Sequence, residues 1–191
     1  MSTIDKPERA TQNRVIDLFC NELGYRYLGD WSDRDGNSNI EEGLLTNYLA
    51  RNGYTREQIS VALYKLRTEA DKHSRNLYGN NQAVYSLMRY GVPVKIEAGK
   101  DTETVHLINW KEPEKNDFAI AEEVTLRGNQ ERRPDVVLYV NGIAVGVLEL
   151  KRSSVTIGDG IRQNLSNQQP EFNECSSAQC SSYSQATTPR G

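Results

Sequence analysis

The sequence predicts a domain that mixes helices with a strand-rich sheet, of the α/β or α+β class, and three observations lead there. Helical spacing of apolar residues prevails up to Gly91, and two-residue alternation prevails from Val94 to Lys151. Beyond these, Asp159 to Gln168 has the spacing of a polar-faced helix that closes the pattern. Helices first, then a sheet closed by a helix, are the layers such a domain packs around one core. At 191 residues the chain has room for one ordinary domain, and it contains no internal repeat.

The elements follow in order. Arg9 to Leu23 carries Val15, Ile16, Leu18, Phe19 and Leu23 at helical spacing, with Gly24 as a stop. Tyr25 to Leu28 reads as a short strand, and the turn-rich stretch from Trp31 to Asn39 connects it to the next helix. That helix runs from about Ile40 to Arg51 and ends at Asn52-Gly53. The next begins at Thr55 with a capping box, Gln58 standing three residues after the cap, and reaches about Asp71. A further helix from about Asn81 to Tyr90 places Val84, Leu87 and Met88 on one face. After Gly91 the candidate strands are Val94 to Ala98, Thr104 to Trp110 and Phe118 to Leu126, with Pro93 just ahead of the first, where a missing amide donor is tolerable.

Composition narrows the function classes. A formal charge of −3 argues against a free-standing nucleic-acid binder, which is usually basic, but is compatible with a nuclease domain that a partner delivers to DNA. Cys20, Cys175 and Cys180 form no disulfide framework and point to a reducing cytoplasm. The polar start, Met1 to Arg9, lacks the apolar core of a signal peptide, and no stretch approaches the roughly 18 apolar residues of a membrane span.

The most informative stretch is Pro134 to Lys151. Two apolar runs flank Asn141-Gly142, and they are bounded by charges that a buried strand should not carry: Asp135 at the start, Glu149 and Lys151 at the end. Strand ends that meet solvent also carry Glu and Lys, and ion pairs of purely structural origin are common. Pro-Asp at the head of the preceding strand, with apolar residues on both faces, favours a site. Hard Mg²⁺ takes oxygen ligands, so Asp135, Glu149 and the carbonyl of Leu150 between the two charged side chains are candidate metal ligands. Glu149 and Lys151 project to one face, and Lys151 could orient or deprotonate a water, or neutralise charge on phosphate, while the metal polarises a phosphoryl oxygen. These pieces suit phosphodiester cleavage.

Geometry sets a condition on this reading. If Asn141-Gly142 were the whole loop of a regular hairpin, Val140 would pair with Ile143 and Asp135 with Leu148, leaving Glu149 on the opposite face from Asp135. A longer loop or a bulge shifts the register by one and unites the carboxylates. The sequence therefore predicts an irregularity between Asp135 and Glu149.

Pro134-Asp135 followed by Glu149-Leu150-Lys151 matches the PD-(D/E)xK nuclease pattern. Arg133 to Ile143 and Ile161 to Gln168 closely resemble the nuclease domain of the restriction (R) subunit of type I restriction-modification enzymes, and Arg9 to Ile16 with Glu22-Leu23-Gly24-Tyr25 is similar to that subunit's first helix. The resemblance covers about Pro7 to Asn173. It implies a restriction-endonuclease-like fold, a central mixed sheet flanked by helices and preceded by an N-terminal helical region. It also implies Mg²⁺-dependent cleavage of double-stranded DNA, with methyltransferase and specificity subunits as partners of the full-length subunit and ATP consumed by its translocase. By the family pattern Asp135 and Glu149 hold the metal and Lys151 assists the water. Gln163 stands where many relatives carry the glutamine of a Q-x-x-x-Y motif; the position four later is Asn167 rather than tyrosine, so Gln163 is carried over as a supporting contact and Asn167 is not.

The expected organisation is a nuclease domain over residues 1–173, helical over about 7–91 and sheet-bearing over about 92–173, with a tail over 174–191. No G-x-x-x-x-G-K-[ST] phosphate loop occurs, so the chain does not carry the motor. The tail is rich in Ser, Gln and Thr and is expected to be disordered. Relatives continue there with an apolar, aromatic-rich segment. Codons compatible with Cys175 to Cys180, shifted by one nucleotide, can encode Trp-Phe-Phe-Ser-Thr-Val, which suggests an out-of-frame tail and a chain truncated before the motor.

The remaining candidates receive structural readings. Arg132, Arg133, Arg152 and Arg162 could meet phosphates, but solvated charge is the plainer account of each. Glu8 and Gln12 approach the metal only if the first helix packs across the sheet edge. His106 reads as structural and His73 as solvated, while Tyr64 and Tyr85 are expected to pack against Leu63, Leu66 and Leu87. Asp33 to Asn39 evokes a calcium loop, but Leu44 stands at the closing position, so a turn is expected. A working endonuclease domain is the favoured reading; the alternative is a non-catalytic remnant or docking module that keeps the nuclease fold.

Overall fold

A computed structural model describes residues 6–97, 99, 101–126, 133–151 and 183–187, the side chains of 6–8, 151 and 183–187 excepted. Its centre is a five-stranded sheet in the order β1-β4-β5-β6-β7. The strands are β1 (Arg26–Asp30), β4 (Phe118–Glu122), β5 (Val136–Val140), β6 (Ile143–Lys151) and β7 (Tyr183–Thr187). The outer pairs β1–β4 and β6–β7 are parallel and the inner pairs antiparallel, so the sheet is mixed, as expected. Four helices accompany it among the described residues: α1 (Lys6–Asp17, running on into a π turn), α2 (Glu42–Arg51), α3 (Arg56–Ala70) and α4 (Leu77–Tyr90). A two-stranded ribbon, β2 (Val92–Val94) with β3 (Glu103–Val105), completes the described fold.

Three features differ from expectation. First, β1 lies inside the part read as helical yet belongs to the central sheet, because its parallel partner β4 is about 90 residues away and no local pattern announces such a pairing. Second, the strands after Gly91 are shorter, and Pro93 sits within β2, opposite Thr104, rather than ahead of the strand. A two-stranded ribbon has two open edges, so a residue without an amide donor costs no ladder bond when it faces outward. Third, Tyr183–Thr187 lies in the tail expected to be disordered, but its backbone pairs with β6 from Val147 to Lys151. Poor apolar content argues against a core, whereas the open edge of a strand offers hydrogen-bonding groups whatever the partner's side chains. The polar-faced helix expected over 159–168 lies outside the described residues.

Local chemistry accounts for the helices. Thr55 and Gln58 form the reciprocal capping box, and Asn76 caps α4 by accepting from the Gly79 amide at 2.9 Å. Gly91 ends α4 at φ +87°, and a Cβ there would collide with Thr104 Cγ2, so α4 terminates hard against β3. The core is divided. One cluster joins α2, α3, α4 and the β2–β3 ribbon around Leu45, Leu49, Leu66 and Val105. The other lies on one face of the central sheet: Ala119 and Ala121 of β4, Val137 and Tyr139 of β5, Ala144 and Val147 of β6, with Trp31. Leu63 and Leu66 are core as expected, but Tyr64 and Tyr85 point outward, because each stands on the solvent side of its helix.

Candidate active site

The hairpin meets the geometric condition by a bulge and not by a longer loop. Asn141 (φ 52°) and Gly142 (φ 86°) form a two-residue turn with two left-handed residues, as Asn-Gly favours. Asn141 is fully buried. Its side chain accepts from the Asp117 amide at 2.7 Å and donates to the Leu107 carbonyl and Asn116 Oδ1, each at 2.8 Å. A Cβ on Gly142 would lie 2.7 Å from the Glu41 carbonyl oxygen, so the start of α2 closes directly on the turn. Val140 pairs with Ile143 and Tyr139 with Ala144, but Leu138 pairs with Gly146, leaving Val145 as the extra residue of a bulge. Beyond it Val136 pairs with Leu148, and that register continued by one step sets Asp135 opposite Glu149. The burial pattern agrees independently. Ala144 and Val147, three apart, share one core cluster with Val137 and Tyr139, which strict alternation forbids. Asp135 and Glu149 continue that same face.

The strand rim is tied across. Asp135 Oδ2 accepts the Leu150 amide at 2.5 Å, and Leu150 is buried. In an extended strand a residue's N–H and C=O leave by the same edge, so the Leu150 carbonyl also faces the Asp135 side. Lys151 occupies the last position of β6, on the parity of Glu149, and its side chain lies outside the described residues. Gln163 lies outside them as well.

Around this rim the structure gathers polar groups that sequence reasoning passed over. Glu122 and Glu123, at the end of β4, are 3% and 4% exposed. Successive strand residues normally face opposite ways, but Glu123 adopts φ 52°, and both carboxylates reach one amide: Gln12 Nε2 donates to Glu122 Oε2 at 2.9 Å and Glu123 Oε1 at 3.1 Å. The same nitrogen is 3.2 Å from the Asp135 backbone oxygen. Glu122 is further held by both Arg9 terminal nitrogens, at 2.7 and 3.0 Å, and by the Tyr27 hydroxyl at 2.5 Å. Burial, then the Glu122 carboxylate, pushes the Tyr27 phenol well above its usual range. Glu122 thus joins α1, β1 and β4.

Glu123 is different in kind. Its carboxyl is raised above the ordinary value, first by burial, and then by Asp135 and Asp30; Gln12 and Arg133 pull the other way. Arg133, considered as a phosphate contact, is paired with Glu123 at 3.0 Å. An ion pair beside a raised carboxyl is no contradiction, since desolvation outweighs a partner that itself remains partly exposed. The sequence did carry a signal for these residues: two carboxylates directly after the apolar run Phe118 to Ala121 are the same anomaly that singled out Asp135. Gln12 reaches the site edge because α1 does pack across it; the Glu8 side chain lies outside the described residues.

Other expectations fare variously. Asp33 to Asn39 is a turn, with Asn37 Nδ2 donating to the Trp31 and Thr125 carbonyls at 2.9 Å each. His106, read as structural, is exposed beyond the end of β3. Among the described residues no three His, Cys, Asp or Glu side chains converge as a metal cluster. A pair of carboxylates completed by a backbone carbonyl is a smaller set than that. No described helix is long and apolar enough to cross a membrane.

A mixed sheet carrying acidic residues at the bulged rim of its central hairpin, flanked by helices, is consistent with the restriction-endonuclease-like α/β class. The chain belongs to a family within that class: residues 5–187 match the family described as type I restriction enzyme R protein N terminus. It is similar to two proteins of Methanocaldococcus jannaschii. One, named as the type I restriction enzyme MjaIXP endonuclease subunit, is 28% identical over 80% of this chain and 16% of its own length. The other, named as the MjaVIIIP endonuclease subunit, is 26% identical over 80% of this chain and 15% of its own length. The chain therefore spans about a sixth of the length of these relatives.

Proposed function

We propose that this chain is the Mg²⁺-dependent endonuclease domain of a type I restriction R subunit and cleaves double-stranded DNA. The bulge at Val145 is the observation that supports the reading, because its register, continued one step past the Val136–Leu148 pair, puts Asp135 and Glu149 on one face. Carboxylates set opposite each other across a strand pair, with Cβ atoms about 5 Å apart, repel one another. A divalent cation between them reverses that cost, and the outward carbonyl of Leu150 supplies a third oxygen. The residues fit the ion.

When bound, Mg²⁺ would polarise a phosphoryl oxygen of the scissile phosphate. Asp135, Glu149 and the Leu150 carbonyl would hold it. Lys151, next on the same face, orients the attacking water or offsets the charge that builds on phosphate as the water oxygen bonds to phosphorus and the bridging P–O bond breaks. Gln163 is a supporting contact. Gln12 and Glu123 act behind Asp135 by setting its backbone. In the full-length subunit, methyltransferase and specificity subunits would supply the DNA address and an ATP-driven translocase the delivery, which explains how an acidic domain can work on DNA.

The test separates ion binding from cutting. Mn²⁺ titration followed by electron paramagnetic resonance should show one site, with affinity falling at least tenfold in Asp135→Asn and in Glu149→Gln. Lys151→Ala should bind Mn²⁺ as before but lose Mg²⁺-dependent nicking of supercoiled plasmid, by 100-fold or more on the order of general acid–base contributions. A folded chain that takes up no Mn²⁺ would replace this reading with a docking module that keeps the fold.

A further inference from the structure

We infer that a second site, a cleft at the turn end of the hairpin, binds a nucleoside phosphate, its base stacked on Trp110 and its phosphate held by Arg89 and Lys111. The cleft encloses about 410 Å³ and is lined by Asn52, Tyr54, Arg89, His106, Trp110 and Lys111, among others. This is the size range of small-ligand sites. Its position sets it apart from the carboxylates. Asn141 bonds the Leu107 carbonyl beside the cleft, and Asp135 lies six residues back along the strand, roughly 20 Å away. The inference does not rest on the nuclease reading.

The walls are already built. Trp110 donates its indole N–H to the Met88 carbonyl of α4 at 2.8 Å, so the ring is anchored, yet it remains 46% exposed. A fixed, half-exposed indole is a stacking platform for a planar base. The Tyr54 hydroxyl oxygen accepts the His106 amide at 3.0 Å, which leaves the hydroxyl proton to donate elsewhere. Asn109 Oδ1 accepts the Lys111 amide at 3.1 Å and the Glu112 amide at 3.0 Å, fixing the loop that presents Lys111. Gly91 lets α4 end against the 104–106 segment, whose His106 lines the cleft.

The charge is one-sided. Arg89 and Lys111 line the cleft, and none of its described lining residues is a carboxylate, in a chain with 26 acidic and 23 basic residues. Among the described residues no carboxylate engages either cation. Arg89 alone could be explained as a favourable charge in the last turn of α4, resting 5.2 Å from the Trp110 centroid. That account leaves Lys111, the exposed indole and the Tyr54 proton, which meets no acceptor among the described residues, without a role. An anion attached to a planar ring uses all of them, and a nucleotide is that combination. It has two sources, a free mononucleotide or an unpaired DNA strand.

Calorimetric titration of the 191-residue chain in EDTA with thymidine monophosphate and with a ten-residue oligothymidylate tests both. At least one should bind. Trp110→Ala should weaken binding about tenfold and Trp110→Phe should restore most of it. Arg89→Gln with Lys111→Gln should flatten the salt dependence of log K for the oligomer by about 1.4, the loss of two phosphate contacts. Tighter binding of the oligomer assigns the site to a strand, and equal binding assigns it to free nucleotide. Failure of both ligands to bind at millimolar concentration overturns the inference, and so does binding that Trp110→Ala leaves unchanged in a chain with native circular dichroism.

Discussion

At Glu123 burial and charge oppose each other. Its carboxyl is raised first by desolvation, so ionising it costs the folded state more than the unfolded one. The sign follows: its contribution is most favourable below the ordinary carboxyl value and is lost as pH rises through the raised one. Glu123→Gln keeps an acceptor for Gln12 and removes the charge. It should raise the thermal midpoint at pH 8, and the gain should shrink to nothing toward pH 4; differential scanning calorimetry across that range checks it, and a gain that grows at low pH would sink the explanation. At this scale the sequence disclosed Asp135, Glu149 and Lys151, whose charges interrupt apolar strands. Glu122 and Glu123 were equally anomalous but lacked a motif, and only the left-handed backbone at Glu123 turns both toward Gln12.

The hairpin is the element on which the proposed metal site depends. Asn-Gly is legible as a two-residue turn, and the need for an irregularity followed from simple alternation. Its position at Val145 was not legible, because nothing distinguishes Val145 from the valines around it. The choice is made by packing: Ala144 and Val147 must both face the Trp31–Tyr139 cluster. Deleting Val145 should give strict pairing that still sets Leu138 against Gly146 and Val137 against Val147, so the carboxylate register is kept. The expected result is retained Mn²⁺ binding, whereas deleting Leu148, which lies beyond the bulge, should carry Glu149 to the opposite face and abolish it. Unchanged Mn²⁺ affinity in a folded Leu148 deletion variant would remove the register from the mechanism. The β7 pairing teaches the complementary lesson, because an open strand edge recruits backbone irrespective of composition.

At the scale of the whole molecule, two core clusters among the described residues divide the work. The helical cluster holds α2, α3, α4 and the ribbon, and the sheet cluster supports the carboxylate face. Leu66, fully buried in the first, should cost about 2–5 kcal/mol of stability when changed to alanine. Below the unfolding transition, the Mn²⁺ affinity of that variant should match the wild type, as urea melts paired with Mn²⁺ titration would measure; a weakened site would mean the two cores are coupled. The sequence by itself determined the helices, their caps, the hairpin turn and the acidic motif, since each rests on spacing within a few residues. The tertiary structure alone decided that β1 joins the central sheet, that the extra residue falls at Val145, and that Gln12 reaches the carboxylates from the first helix. It also brought Trp110 to the end of α4 beside Arg89. Those outcomes depend on contacts between residues from about 20 to more than 100 positions apart, where burial and backbone pairing, rather than local propensity, select the arrangement.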